Sequence, residues 1–244
     1  RLTEEEIIEC CKAGYSEGVK TFVLQGGEDL GFSDERLVAL IVKLKEMFAD
    51  VQVTLSVGER PYETYLSFFQ AGARRYLLRH ETADYSHYAT LHPEGQPFWH
   101  RINCLYNLKQ LGFQTGCGMM IGSPNQTIES LVQDFCFIQE FKPEMVGIGP
   151  FIPHPNTPLK YCETGSFTLA LKVMALTRIL LKDINIPATT AMETLNPNGR
   201  IIALQSGANV VMPNVTSKEY RAKYEIYPGK ICINENPEQC RGCI

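Results

Sequence analysis

The chain has no apolar run near the roughly 18 residues that a membrane-spanning helix needs, and no secretory leader at its start. No membrane is therefore expected as a partner. It also lacks a basic excess: 23 Lys and Arg stand against 27 Asp and Glu, a net charge of −4, with the basic residues scattered and no aromatic-basic strip. That leaves nucleic acid without an electrostatic footprint. No Gly-x-Gly-x-x-Gly turn follows a first strand, which weighs against an open doubly wound dinucleotide-binding sheet. Neither a Ser-His-Asp arrangement nor His-Glu-x-x-His is present. The chain does not open on Met; Arg1 leads at once into a helical pattern, so a piece of a longer chain is expected.

What is present is a 244-residue chain, 44% apolar and 20% charged, enough for one large domain with a real core. Its nine cysteines are an odd number. Cys10, Cys11, Cys104, Cys117, Cys136 and Cys162 sit inside apolar patterns as small hydrophobes, whereas Cys232, Cys240 and Cys243 crowd the C-terminus. A reducing, cytoplasmic compartment fits this better than a disulfide framework.

Thr3 with Glu6 is a capping-box pattern, followed at helical spacing by Ile7, Ile8 and Cys11. Strands are expected at 21–29, 51–59, 74–82, 115–123, 145–153, 186–192 and 208–214. The helices between them include one capped by Ser33, one opened by Pro61, and others over 99–112, 167–182 and near 197–206. Residues 83–98, with Pro93, Gly95 and Pro97, read as a longer connection. Most strands are continuous apolar runs, as in a parallel sheet covered by helices. Seven strands, each behind a helix, predict an α/β fold: an eight-fold TIM-type β/α barrel whose first strand is missing from the chain.

In such a barrel the site lies at the C-terminal strand ends. Those ends carry Gln25, Gly26, Gly27, Glu28 and Asp29; Thr54, Ser56, Gly58 and Glu59; Arg79, His80, Glu81 and Thr82; Gly122 and Ser123; Met145 and His154; Thr189 and Thr190; and Met212, Pro213 and Asn214. Polar groups thus recur at one end of nearly every strand, which makes Arg79-His80-Glu81 one wall of a polar pocket. The Gly26-Gly27 pair admits a ligand to bare backbone, and nearby carboxylates suit an ammonium. Arg79 and Arg101 can bind a carboxylate with forked hydrogen bonds. Glu81 with Arg101 fits the two ends of an amino acid, and equally an internal ion pair.

The segments "LQGGED", "LSVGERP", "YLLRHETAD", "MMIGSPNQT", "MVGIGPFIPHPNTPL", "INIPATTAM", "GANVVMPN" and "YPGKIC" occur in this order. Together they resemble the [FeFe]-hydrogenase maturases of the HydE type within the radical S-adenosylmethionine (SAM) superfamily, with biotin synthase and the pyrrolysine-pathway mutase as more distant relatives. The resemblance covers essentially the whole chain. It implies a radical SAM barrel in which a [4Fe-4S] cluster and SAM generate a 5′-deoxyadenosyl radical. That radical acts on an iron-cysteine carbonyl/cyanide synthon during H-cluster assembly, alongside other hydrogenase maturation proteins. By motif, Gly26, Gly27, Glu28, Ser56, Glu81 and Arg101 would contact SAM. Thr54, Arg79, Met145, Thr189, Thr190, Tyr224, Ile226 and Tyr227 would face the substrate. The resemblance singles out no protein acid or base.

The cluster motif of that family, Cys-x3-Cys-x2-Cys, is absent here, and the resemblance places it upstream of Arg1. The chain as given is therefore not expected to cleave SAM. Cys232, Cys240 and Cys243, at Cys-x7-Cys-x2-Cys spacing, can hold an auxiliary iron–sulfur cluster or zinc, or be surface thiols. The expected organisation is an incomplete barrel over 1–230 and a Cys-rich segment over 231–244. Two other functions remain open: a radical SAM mutase or sulfur inserter, and a non-catalytic barrel that carries a metal-containing small molecule.

Overall fold

The computed structural model describes residues 1–29, 31–221, 223 and 226–231. The elements run α1 Glu4–Ser16, β1 Thr21–Gln25, α2 Asp34–Met47, β2 Gln52–Ser56, α3 Tyr62–Ala71, β3 Arg75–Leu77, α4 Tyr85–Leu91 and α5 Phe98–Gln110. They continue β4 Gln114–Ile121, α6 Ile128–Phe141, β5 Met145–Pro150, α7 Phe167–Leu180, α8 Thr190–Leu195, α9 Gly199–Gln205 and α10 Lys218–Arg221. The sheet order follows the chain, β1-β2-β3-β4-β5, and successive pairs from β1 to β4 are parallel. The chain divides into two compact units, Arg1–Leu78 with Pro97–Cys117, and Arg79–Gln96 with Gly118–Ile244.

In the first unit the helix starts are chemically fixed. The Thr3 hydroxyl accepts the Glu6 N–H, and the Glu6 carboxylate accepts the Thr3 N–H at 2.7 Å, closing the capping box of α1. Ser33 caps α2 by accepting the Arg36 N–H. Leu37, Leu40, Ile41 and Leu44 of α2 are buried, each contributing about 1.5–3 kcal/mol of apolar burial. Gly72, at φ 114°, ends α3. The strands β1 to β3 are not buried equally on both sides. Phe22, Val53, Leu55 and Tyr76 are buried on one face, while Val23 and Gln25 on the other are exposed. The parallel register sets Val23, Thr54 and Arg75 side by side, and Gln25 beside Ser56. Thr54 and Ser56 therefore share the polar face.

In the second unit, the expected strands at 186–192 and 208–214 are not strands. Their pairing is one short parallel bridge, Pro187↔Val210, in which the Ala188 N–H donates to the Val210 carbonyl and the Asn209 N–H to the Ile186 carbonyl, each at 2.9 Å. Pro187 has no N–H to extend a ladder, and Thr189 becomes the N-cap of α8. The expected connection over 83–98 contains α4, because the Asp84 carboxylate caps it by accepting the Ser86 and His87 N–H groups at 2.9 and 3.1 Å. The 74–82 strand is only three residues long as β3. Beyond it, pairing resumes as a Glu81↔Met119 bridge, and the bridging residue Glu81 is itself left-handed.

Candidate functional site

In the first unit, the turns after β1 and β2 and the first turn of α5 converge on Arg101. Gly26 donates its N–H to the Ser56 carbonyl at 3.2 Å, extending the β1–β2 pairing by one step. Gly27 then turns left-handed at φ 60°, with nothing within 4 Å of where a Cβ would sit. That open backbone is a cradle a ligand can enter. Glu28 folds over the second turn. Its Oε1 accepts the Glu59 N–H at 3.2 Å, and its Cγ lies where a Cβ on Gly58 would stand. Gly58, at φ 80°, is required there. Its carbonyl accepts hydrogen bonds from Tyr76 at 2.7 Å and Tyr65 at 3.4 Å. Burial pushes both phenols above their usual range, so they stay protonated as donors.

The rigid turn presents Glu59 to Arg101. The Arg101 Nε lies 2.5 Å from Glu59 Oε1, and its Nη2 lies 3.4 Å from Glu28 Oε1. Only 12% of the Arg101 side chain is exposed, so this guanidinium is held between two carboxylates away from most solvent. His100 pairs with the second oxygen of Glu59. Glu59, His100 and Cys104 donor atoms lie within 4.8 Å of one another. The carboxylate is already shared between Arg101 and His100, however, and burial raises the Cys104 thiol above its ordinary range, keeping it protonated. The trio is thus an ion pair beside a buried thiol, not an assembled ligand set.

In the second unit the Arg79 Nη2 donates to the Met119 carbonyl at 2.8 Å and lies 3.3 Å from Glu81 Oε2. Glu81 sits at φ 67°, a conformation costly for a non-glycine residue. Its N–H donates to the Gly118 carbonyl at 2.9 Å, and its carbonyl accepts the Met120 N–H at 3.3 Å. His80 and Thr82, on either side, are fully buried. The run that looks anomalous in sequence is therefore an alternation: Arg79 and Glu81 half-buried, His80 and Thr82 in the core. Thr189 stands beside Gly149, whose missing side chain leaves room for it, and its buried hydroxyl has no hydrogen-bond partner among the described residues. The Thr190 hydroxyl bonds the Tyr227 hydroxyl at 2.6 Å.

Within its own unit Arg101 pairs with Glu28 and Glu59, and within the other Glu81 pairs with Arg79. Met145 needs correction. It is the first residue of β5, whereas Gly149, four residues on, is the one against Thr189. At about 3.3 Å per residue the strand carries Met145 some 13 Å away, to its N-terminal end. Ile226 is exposed. Tyr224, Cys232, Cys240 and Cys243 lie outside the described residues. Glu59, expected as a polar strand end, is also the Arg101 partner, and Asp134, which sequence reasoning missed, is fully buried beside His80. The signal for Asp134 was available, because it falls on the apolar face of α6 with Leu131 and Ile138.

His87, on α4, supplies a pH test. Its Nε2–H donates to the Pro124 carbonyl at 3.0 Å, near the Ser123 hydroxyl, and its buried Nδ1 has no partner among the described residues. Burial lowers its pKa below the usual 6.5. Below 6.5 the unfolded chain takes up a proton that the fold resists, so stability is full above that pH and declines as pH falls toward the lower folded value. Denaturant titrations from pH 7.5 to 5 are expected to show this decline, and His87→Gln to flatten it. Equal slopes in both proteins would remove His87 as its cause.

Comparison with known proteins decides the family. Residues 1–138 match the Radical SAM superfamily. Over 244 residues, all of this chain and 69% of the relative, the sequence is 52% identical to the [FeFe] hydrogenase maturase subunit HydE of Thermotoga maritima. The chain belongs to the HydE family of radical SAM proteins. This HydE-family chain is also 31% identical over 230 residues to the 3-methylornithine synthase of Methanosarcina acetivorans, covering 92% of the chain and 64% of that protein. The crystal structure of methylornithine synthase (PylB) matches it with a TM-score of 0.78 at 31% identity, over 86% of the chain and 62% of that structure. The HydE-family chain thus spans about two thirds of the length of these relatives. Its fold is the radical SAM one, a partial TIM-type β/α barrel.

The residues present fit SAM: an open left-handed glycine cradle, flanking carboxylates and a shielded arginine are what an α-amino acid end requires. The described residues do not fit a [4Fe-4S] cluster. Among the described residues the only group of three or more close metal-type donors is Glu59, His100 and Cys104, with a single thiol.

Proposed function

We propose that this chain is the SAM-binding barrel portion of an enzyme of [FeFe]-hydrogenase maturation, acting on a small iron-cysteine substrate with other maturation proteins. The observation that carries this reading is the Arg101 guanidinium, fixed between Glu28 and Glu59 beside the open Gly26-Gly27 backbone. In this reading the SAM carboxylate takes the place of one protein carboxylate on Arg101. Glu28 turns to the SAM ammonium, with Ser56 and Glu81 as further contacts. A [4Fe-4S] cluster, for which the described residues offer no ligand set, would supply the electron that splits SAM into methionine and a 5′-deoxyadenosyl radical. The protein's part is to orient SAM and to keep water out.

Arg79, Thr54, Thr189, Thr190 and Tyr227 are assigned to substrate. The unpartnered Thr189 hydroxyl supports its share of that role, since a buried hydroxyl without a partner costs about 1–3 kcal/mol unless a ligand satisfies it. An auxiliary cluster on Cys232, Cys240 and Cys243 belongs to the same proposal. The likeness to 3-methylornithine synthase favours a carbon-skeleton mutase as the second reading. Activation of apo-hydrogenase separates the two. The full-length, cluster-reconstituted protein is expected to restore hydrogen evolution in a maturation mixture lacking only its HydE component. No restoration, with SAM still cleaved, would favour the mutase.

A further inference from the structure

We infer that His80 and Asp134 form a buried pair that locks the backbone at Glu81 and so positions Arg79 and Glu81; this rests on the ligand roles proposed for those two residues. Both side chains are completely buried, and His80 Nε2 lies 3.3 Å from Asp134 Oδ1 in an oblique approach. The Gly118 N–H donates to His80 Nδ1 at 3.3 Å, which leaves the ring proton on Nε2, toward Asp134. The same Asp134 oxygen accepts the Ala83 N–H at 2.5 Å. One carboxylate atom on α6 therefore touches both sides of the Glu81-Thr82 dipeptide. The rings of His80 and Phe137 meet at 4.8 Å, closing the pair from the side.

What this arrangement holds is an uncommon conformation. A left-handed non-glycine residue is disfavoured by about 1–2 kcal/mol, and it persists only where surroundings over-determine it. Glu81 is pinned at its N–H by Gly118, at its carbonyl by Met120, and by the His80 and Ala83 anchors on either side. Arg79 and Glu81 keep a 3.3 Å contact across this step, so the angle at which the Glu81 carboxylate meets Arg79 follows from the backbone held there. A purely apolar pair at 80 and 134 would fill the core as well. It would not accept the Gly118 and Ala83 N–H groups that fix the turn.

The test uses full-length, cluster-reconstituted protein carrying Asp134→Asn, with His80→Asn as a second variant should the first not fold. Val173→Ala in α7, a buried core truncation away from the pair, is the control for destabilisation alone. Two quantities are measured: the SAM dissociation constant, and amide exchange at Glu81 and Met120. Asp134→Asn is expected to raise the SAM constant about 10-fold, the size of losing one charge-assisted hydrogen bond at Glu81. It is also expected to speed exchange at those two amides selectively, with Val173→Ala doing neither. Unchanged exchange, exchange raised evenly across the unit as in the control, or selective exchange with unaltered SAM affinity would each overturn the inference. If wild-type protein binds no SAM, the functional reading fails separately, and the exchange pattern alone then decides whether the pair fixes Glu81.

Discussion

Replacing Arg101 with alanine is expected to weaken SAM binding by about 30- to 150-fold, the equivalent of about 2–3 kcal/mol for a shielded, charge-assisted hydrogen-bonding group. The Arg101 side chain is 12% exposed and already sits between Glu28 and Glu59, so its geometry is set before a ligand arrives. Arg101→Lys keeps the charge but loses the fork, and an intermediate loss is expected. The barrel should survive either change. Glu28 is partly exposed, so water can solvate it, and the more buried Glu59 keeps His100 beside its second oxygen. Calorimetric SAM titration of the full-length protein, with circular dichroism to confirm folding, checks this. Unaltered affinity in a folded Arg101→Ala protein would remove Arg101 from the SAM site.

A large loss of stability is expected from Gly118→Ala. A Cβ at this position in β4 would lie 2.4 Å from the Gly147 carbonyl oxygen and 3.1 Å from the Gly147 carbonyl carbon and Cα. The obstacle is backbone of the neighbouring strand β5, so no side-chain rotation relieves it. Either the strands separate or the ladder slips, at a cost of about 3 kcal/mol or more. For a chain of this size that is roughly 6–12 °C in melting temperature. The Gly118 amide also donates to His80, and its carbonyl accepts from Glu81, so displacement should reach the left-handed turn too. Gly95 is a fair contrast: a Cβ there meets nothing within 4 Å, though φ 101° still strains alanine. Equal melting temperatures for wild type and Gly118→Ala would mean that β4 and β5 do not approach this closely.

Local chemistry in the sequence carried over to the structure where one residue decides the outcome. Thr3 with Glu6, Ser33 and Gly72 set helix ends by hydrogen bonds or left-handed geometry that no distant contact overrides. The strands at 186–192 and 208–214 were misread because apolar content alone does not separate a strand from a bridge leading into a capped helix. Thr189 was visible as a polar strand end, but its capping role depended on where α8 begins. Met145 was assigned to the wrong end of its strand because the motif around it was read without strand direction. At the site, the glycine turns and Arg101 were legible from composition. The Glu59 partnership was not, since it depends on Gly58 placing two loops together. Asp134 was legible in principle as an acid on an apolar helix face, though only the fold shows that it meets His80.

The central claim is that this barrel uses SAM for radical chemistry. It is tested most directly by incubating the full-length, cluster-reconstituted protein with SAM and a strong reductant and quantifying 5′-deoxyadenosine. SAM-dependent formation of 5′-deoxyadenosine and methionine is expected, reduced in the Arg101→Ala protein at subsaturating SAM. An intact cluster and bound SAM with no 5′-deoxyadenosine, in the presence of reductant and substrate, would contradict it and leave a barrel that binds without catalysis.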